Sequence, residues 1–252
     1  MLFAQHGKEM NDLTERQIKI LKTIIEEYLK TATPVGSEAL DKKYGLGVSP
    51  ATLRNEMSTL VKAGFLSQPH TSAGRIPTPR GIKFYVRNLM EEERLSVADE
   101  VAVKEKVWEC RFDFDKLMRA TIKALAEKTS SLALAITDEE DTYSSGYANI
   151  LDMPEFYDID VTRAVLSVLE QVDYLKSLFE KSFSEDPIQI LLADELGEGY
   201  LKPCGLVFTH FKAGEKRSGS LGVIGPVRLN YPKVIPSLKY FSNLISEISR
   251  YW

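Results

Sequence analysis

Between Thr14 and Gly64 the chain alternates helix-start and helix-stop signals three times. These signals lay out a long helix, a short helix, a tight turn and a third helix. In LTERQIKILKTIIEEYLKT, Thr14 is the N-cap, Gln17 completes a capping box, and Leu13 and Ile18 occupy hydrophobic-staple positions. Ile18, Leu21, Ile25 and Tyr28 recur at helical spacing and make one apolar face. The helix is expected to stop at TATPVG, where Thr33 precedes a proline and is pushed away from helical angles. Ser37 is expected to cap SEALDKKY, with Gly45 ending it in a left-handed conformation. Ser49 caps the third helix, and Pro50 follows at a position whose N–H has no helical partner. Leu53, Met57 and Leu60 form its buried stripe and Gly64 ends it.

The segment SQPHTSAGRIPTPRG, residues 67–81, breaks the pattern. It has no apolar period, yet it sits between two helix-like runs. FLSQ before it and RIPT within it read as two short strands joined by a polar loop. Thr71 and Ser72 offer hydroxyls, Gly74 lets the backbone turn, and His70 and Arg75 add polar and charged donors. Thr78 caps a further helix with Pro79 first, and Arg80, Lys83 and Arg87 add charge near the base of the hairpin. Three helices followed by a hairpin have the order of a winged helix-turn-helix, whose last helix lies in the DNA major groove. Thr52, Arg54, Asn55 and Ser58 populate the outer face of that helix, with Ser49 at its start. Arginine matches guanine O6/N7 and asparagine matches adenine N6/N7. Arg54 and Asn55 are about 100° apart around the helix, so they cannot both point squarely outward. The candidate phosphate contacts are His70, Thr71, Ser72, Gly74, Arg75, Thr78 and Arg80, which would position the protein without reading sequence.

Charge follows the same division. The net charge of −4 is the sum of +5 over residues 1–90 and −9 over the remainder. A basic head on an acidic body points to an anionic partner for the head alone.

Residues 91–128 read as one or two amphipathic helices with a break near Arg111–Asp113, a linker or a pairing surface. SLALAI is a strand candidate, and TDEEDTYSSGYANILDMPEF is turn-rich. VTRAVLSVLEQVDYLKSLFEK reads as one strong helix, with Val161, Val165, Val168, Val172, Leu175 and Phe179 on one side. IQILLADE, CGLVFTHFKA and GSLGVIGPVRLN are strand-like, and VIPSLKYFSNLISEISRYW closes the chain as a helix. Grouped strands with flanking helices indicate an α+β domain with an antiparallel sheet. The expected organisation is 1–90, 91–128 and 129–252.

Little here invites catalysis. Cys110 and Cys204 stand alone, and His6, His70 and His210 lack metal-ligand spacing. GSLGVIGPVR lacks the spacing and the lysine of a phosphate loop. No catalytic residue, cofactor or metal is expected. The first residues, MLFAQHGKEMND, do not read as a signal peptide, and no run of about eighteen apolar residues is present. Cytoplasmic location fits these features and the sparse cysteines.

SPATLRNEMSTLVKAGFLSQPHTSAGRIPTPRGIKFYV closely resembles the winged-helix region of the heat-inducible transcription repressor family HrcA, and LTERQIKILKTIIEEYL extends the likeness forward. GYANILDMPEF and GSLGVIGPVRLNYPKVIPSLKYF resemble the GAF-like C-terminal domain of that family. The resemblance implies a winged-helix repressor of chaperone genes that acts as a homodimer. It implies an inverted-repeat operator of the type called CIRCE, dependence on the chaperonin, and loss of binding on heating. One departure is plain: only a few residues separate SLALAIT from YSSGYANIL, where the family carries a large inserted segment that helps dimerisation. The rival reading is a winged helix that docks protein, with the GAF-like domain sensing a small ligand.

Overall fold

The computed structural model describes residues 13–181, 186–197 and 199–251; His6, Glu198 and Trp252 fall outside them. The chain divides into two compact units between Glu91 and Glu92.

In the first unit, α1 spans Glu15–Thr31. The Thr14 hydroxyl accepts the Gln17 N–H at 3.3 Å, and the Gln17 side chain accepts the Thr14 N–H at 2.9 Å. The buried stripe is centred on Ile20, Leu21, Ile24 and Ile25, so Ile18 and Tyr28 lie at its half-buried margins. The helix ends when Ala32 turns left-handed (φ 56°), one residue ahead of the pre-proline restriction. α2 spans Ser37–Tyr44, and here the expected cap is displaced. Gly36 holds the cap position without a side-chain bond, and Ser37 is the first helical residue. The reason is long-range. Val35 exchanges two backbone hydrogen bonds of 2.9 Å with Arg75, which fixes the entry to α2. Gly45 ends α2 left-handed (φ 52°), as its type demands.

α3 spans Pro50–Lys62 and buries Leu53, Met57 and Leu60. Gly64 follows with φ +78°. β1 (Leu66–Ser67) and β2 (Ile76–Pro77) pair antiparallel, and α4 (Pro79–Asn88) starts from the Thr78 cap. The core of this unit joins the α1 stripe to Leu40, Leu53, Leu60, Phe65 and Phe84. The two phenylalanine rings meet edge to face at 5.1 Å between centroids. Glu27 ties α1 to the end of α2, accepting from Lys43 Nζ at 2.7 Å and from the Tyr44 hydroxyl at 2.5 Å. The Lys43 bond, then that of Tyr44, holds the Glu27 carboxyl below the usual carboxylate range.

The strands of the second unit are β3 (Leu132–Thr137), β4 (Thr142–Ser145), β5 (Ile188–Leu192), β6 (Cys204–Ala213) and β7 (Arg217–Pro226). They form a five-stranded antiparallel sheet in the order β4-β3-β7-β6-β5. β3 and β4 close a tight hairpin over residues 138–141, with Glu140 at φ 68°. α5 (Val97–Trp108) and α6 (Phe114–Thr129) match the expected helices at 91–128, with a break over 109–113. α6 is part of the core, because Leu117, Met118, Ile122 and Leu125 are buried and the helix lies along β3 and β4. α10 (Tyr231–Ile248) packs beside it on β6.

The other face of the sheet is covered by α7 (Tyr147–Leu151), α8 (Ile159–Glu170) and α9 (Val172–Phe179). The segment read as turn-rich thus also holds β4 and α7. The single helix expected over VTRAVLSVLEQVDYLKSLFEK is two. Gln171 leaves helical angles (φ −99°, ψ 87°), and the redirected chain brings Leu175, Leu178 and Phe179 into the same core as Val161, Val165 and Val168. Side chains alternate across β3, so Leu132, Leu134 and Ile136 join that core while Ala133 and Ala135 turn to the opposite face.

Pro236 sits inside α10 and cannot donate to the Pro232 carbonyl one turn earlier. That carbonyl accepts the Glu93 N–H at 2.8 Å instead.

Gly81 lets α4 pass against the backbone of Phe65: a Cβ placed there would lie 2.1 Å from the Phe65 carbonyl oxygen. Gly81→Ala is expected to destabilise the first unit by about 1–3 kcal/mol, as overpacking does. Denaturation followed by circular dichroism checks this; an unshifted transition contradicts the packing described.

Candidate nucleic-acid interface

The outer side of α3 and the β1–β2 loop face each other across a cleft. Its walls include Arg54 and Ser58 from α3, Thr71, Ser72 and Arg75 from the loop, and Glu38 from α2. Gly36, Ser37, Met57, Gln68, Ala73 and Gly74 complete it. Six of the twelve sequence-derived candidates therefore share one concavity: Arg54, Ser58, Thr71, Ser72, Gly74 and Arg75. Ser49, Thr52, Asn55, His70, Thr78 and Arg80 lie outside it.

Each group is held by local bonds. The Ser49 hydroxyl caps α3 by accepting the Thr52 N–H at 3.2 Å and lies 3.0 Å from the Thr52 hydroxyl. The Ser58 hydroxyl donates to the Arg54 carbonyl at 2.9 Å. Arg54 and Asn55 are both exposed on the same helix. Arg54 leans toward Glu38, with Nη2 3.9 Å from the carboxylate.

The loop is built from inside. His70 accepts the Ala73 N–H through its carbonyl at 2.8 Å, and its ring Nδ1 lies 3.1 Å from the Ser72 hydroxyl. The Gln68 amide donates to the carbonyls of Thr71 (2.8 Å) and Ala73 (3.1 Å), crossing the loop from strand to tip. Gln68 is not one of the sequence-derived candidates; its sequence signal is a polar side chain at the strand–loop junction.

Gly74 acts differently from expectation. Its φ is not left-handed; a Cβ there would lie 2.5 Å from the carbonyl carbon of Val35. Glycine is needed for close approach, because the Val35–Arg75 bridge pins the loop's return strand to the α1–α2 connection.

Arg75 is half-buried rather than extended into solvent. Its Nη1 donates to the Ala73 carbonyl at 3.2 Å, and its buried Nε has no hydrogen-bond partner. Thr78 and Arg80 hold the base of the hairpin. The Thr78 hydroxyl donates to the Gly64 carbonyl at 2.7 Å and accepts the Gly81 N–H at 3.0 Å. Arg80 Nη1 donates to the Ala63 carbonyl at 2.9 Å, and its guanidinium lies 4.5 Å from the Phe65 ring centroid.

In the second unit, Asp138, Lys176, Glu180, His210 and Lys212 line a cavity beside the β3–β7–β6 face. Among the described residues no cluster of three or more His, Cys, Asp or Glu is placed to hold a metal ion. Burial, with a smaller effect from Glu155, pushes the Cys204 thiol up to about 12. His210 is exposed on β6, with Nδ1 2.8 Å from the Ser220 hydroxyl. No described helix is long and apolar enough to cross a membrane.

Residues 83–235 match the family described as HrcA protein C terminal domain. Among curated proteins, the heat-inducible transcription repressor HrcA of Symbiobacterium thermophilum is 28% identical over 338 residues, covering 94% of this chain and 99% of the relative. That of Pelotomaculum thermopropionicum is 26% identical, covering 94% and 97%. Both aligned spans, 338 and 336 positions, exceed the 252 residues of this chain, so the relatives carry sequence that it lacks. A crystal structure of a hypothetical protein at 2.2 Å resolution shares the fold, with a TM-score of 0.74 at 18% identity over 94% of this chain and 99% of the other. The chain belongs to the HrcA family.

Removing the Gln68 amide should loosen the loop without touching the second unit. In Gln68→Ala, amides 71–75 are expected to exchange about tenfold faster, the effect of losing one or two hydrogen bonds of ordinary net worth. Exchange unchanged from wild type at those amides contradicts the bracing role.

Proposed function

We propose that residues 13–91 form a winged helix that binds double-stranded DNA, and that this HrcA-family chain represses heat-inducible chaperone genes by occluding their promoters. The observation that carries this reading is the shared cleft, where Arg54 on the exposed face of α3 and Arg75 in the hairpin loop approach one concavity. A helix that presents exposed Arg54 and Asn55 near its capped N-terminus has the side chains a major groove requires. The loop supplies hydroxyls, backbone N–H groups and a guanidinium at the height of the flanking phosphates. The name borne by the curated relatives, which this chain matches over 94% of its length, supports the same role.

Base reading is assigned to Thr52, Arg54 and Asn55, with Ser58 at the edge of the contact. Phosphate contact is assigned to Ser49 at the helix start and to His70, Thr71, Ser72 and Arg75, while Gly74, Thr78 and Arg80 keep the hairpin at its angle. A homodimer would set two such heads on an inverted repeat of the CIRCE type, where the second head binds at high effective concentration. The second unit is the GAF-like C-terminal domain in this reading. It provides the pairing surface and the point at which the chaperonin acts, and the protein works in the bacterial cytoplasm, on the nucleoid when bound.

Gel-shift titration separates the two kinds of contact. Arg54→Ala and Asn55→Ala are each expected to weaken binding to a selected inverted repeat by about 1–3 kcal/mol, roughly fivefold to 150-fold, with little change on scrambled duplex. Arg75→Ala is expected to weaken binding to every sequence and to lower the salt slope by about one phosphate's share. A wild-type chain with equal affinity for both duplexes contradicts the proposed function.

A further inference from the structure

Among the described residues that line the cleft, Glu38 is the one acidic side chain, and the other charges are Arg54 and Arg75. It stands in the first turn of α2, and its carboxylate lies 3.9 Å from Arg54 Nη2. Both side chains are well exposed, at 82% for Glu38 and 64% for Arg54. An exposed pair of this kind adds little to stability. Its consequence falls on what Arg54 can bind.

On DNA without a matching base, the low-energy option for an exposed guanidinium is a phosphate. Glu38 opposes that option, because a phosphate drawn to Arg54 must approach a second negative charge a few ångströms away. On a matching base, Arg54 uses its fork on neutral acceptor atoms, and the Glu38 carboxylate can still bond the remaining guanidinium edge. The pair therefore penalises non-specific binding more than specific binding, a form of discrimination by repulsion.

We propose that Glu38 is a specificity-determining residue that acts through Arg54, keeping the guanidinium off the phosphate backbone and available for a base edge. The inference rests on the DNA-binding reading of the first unit.

The test uses the full chain with two probes: an inverted repeat selected by the wild type from a randomised duplex library, and a scrambled duplex of equal length. Glu38→Gln is compared with Asp41→Asn, which removes one acidic charge from the same helix at a position outside the cleft lining. Relative to Asp41→Asn, Glu38→Gln is expected to bind scrambled DNA about threefold tighter, the effect of removing one like charge at short range in water. Its salt slope on that DNA steepens by about 0.9, one phosphate's share. Affinity for the selected repeat changes less, so the selectivity ratio falls.

Two results overturn the proposal while leaving the DNA-binding reading intact. One is scrambled-DNA affinity and slope equal in the two variants. The other is a loss confined to the selected repeat, which would make Glu38 a base acceptor. A wild type that selects no repeat from the library overturns the DNA-binding reading itself, and this proposal with it.

Discussion

The first unit depends on the double backbone bond between Val35 and Arg75. It is a single antiparallel bridge between the α1–α2 connection and the return strand of the hairpin. A two-stranded hairpin of two residues per strand has little stability of its own. The bridge gives it a third strand position and sets its height against α3. The absence of a side chain at Gly74 permits the approach, and the same contact moves the α2 cap from Ser37 to Gly36. Gln68 then orders the loop from within. The cleft between α3 and the loop is the product of these backbone constraints more than of the side chains that line it.

The second unit is organised by burial on both faces of its sheet. Alternation along β3 sends leucine and isoleucine to one helical layer and alanine to the other. Pro236 shows how the fold absorbs an exception. The helix loses one internal bond at that point, and the freed Pro232 carbonyl receives the Glu93 N–H, which anchors the start of this unit to its last helix. Arg228 and Glu155, both largely buried and joined by two bonds of 2.6 and 2.9 Å, hold the turn at Pro154–Tyr157 against the end of β7. A buried pair of this geometry fixes position more than it adds net stability.

What the sequence made legible was local. Caps at Thr14, Ser49 and Thr78, the left-handed glycine at Gly45 and the stripe Leu53–Met57–Leu60 are all determined within a few residues of chain, and the structure places them as read. What escaped was set by contacts distant in sequence. No local pattern shows that Val35 meets Arg75, or that Gly74 is needed for proximity and not for its φ. The apolar spacing from Val161 to Phe179 fits one helix as well as two, and only packing on the sheet shows the break at Gln171. At the candidate interface, residue types were readable but their engagement was not. Thr78 and Arg80 spend their polar groups on the hairpin base, and Arg75 is tucked against its own loop. The lean of Arg54 toward Glu38 joins residues on two different helices, which neither pattern alone reveals.

In the proposed role, the exposed side of α3 and the hairpin loop form one DNA-binding surface. Amide hydrogen exchange of the full chain, with and without a selected inverted-repeat duplex, tests it directly. Added protection is expected to concentrate at residues 49–58 and 68–75. Protection elsewhere with none in those two segments, under conditions where the duplex is bound, would contradict it.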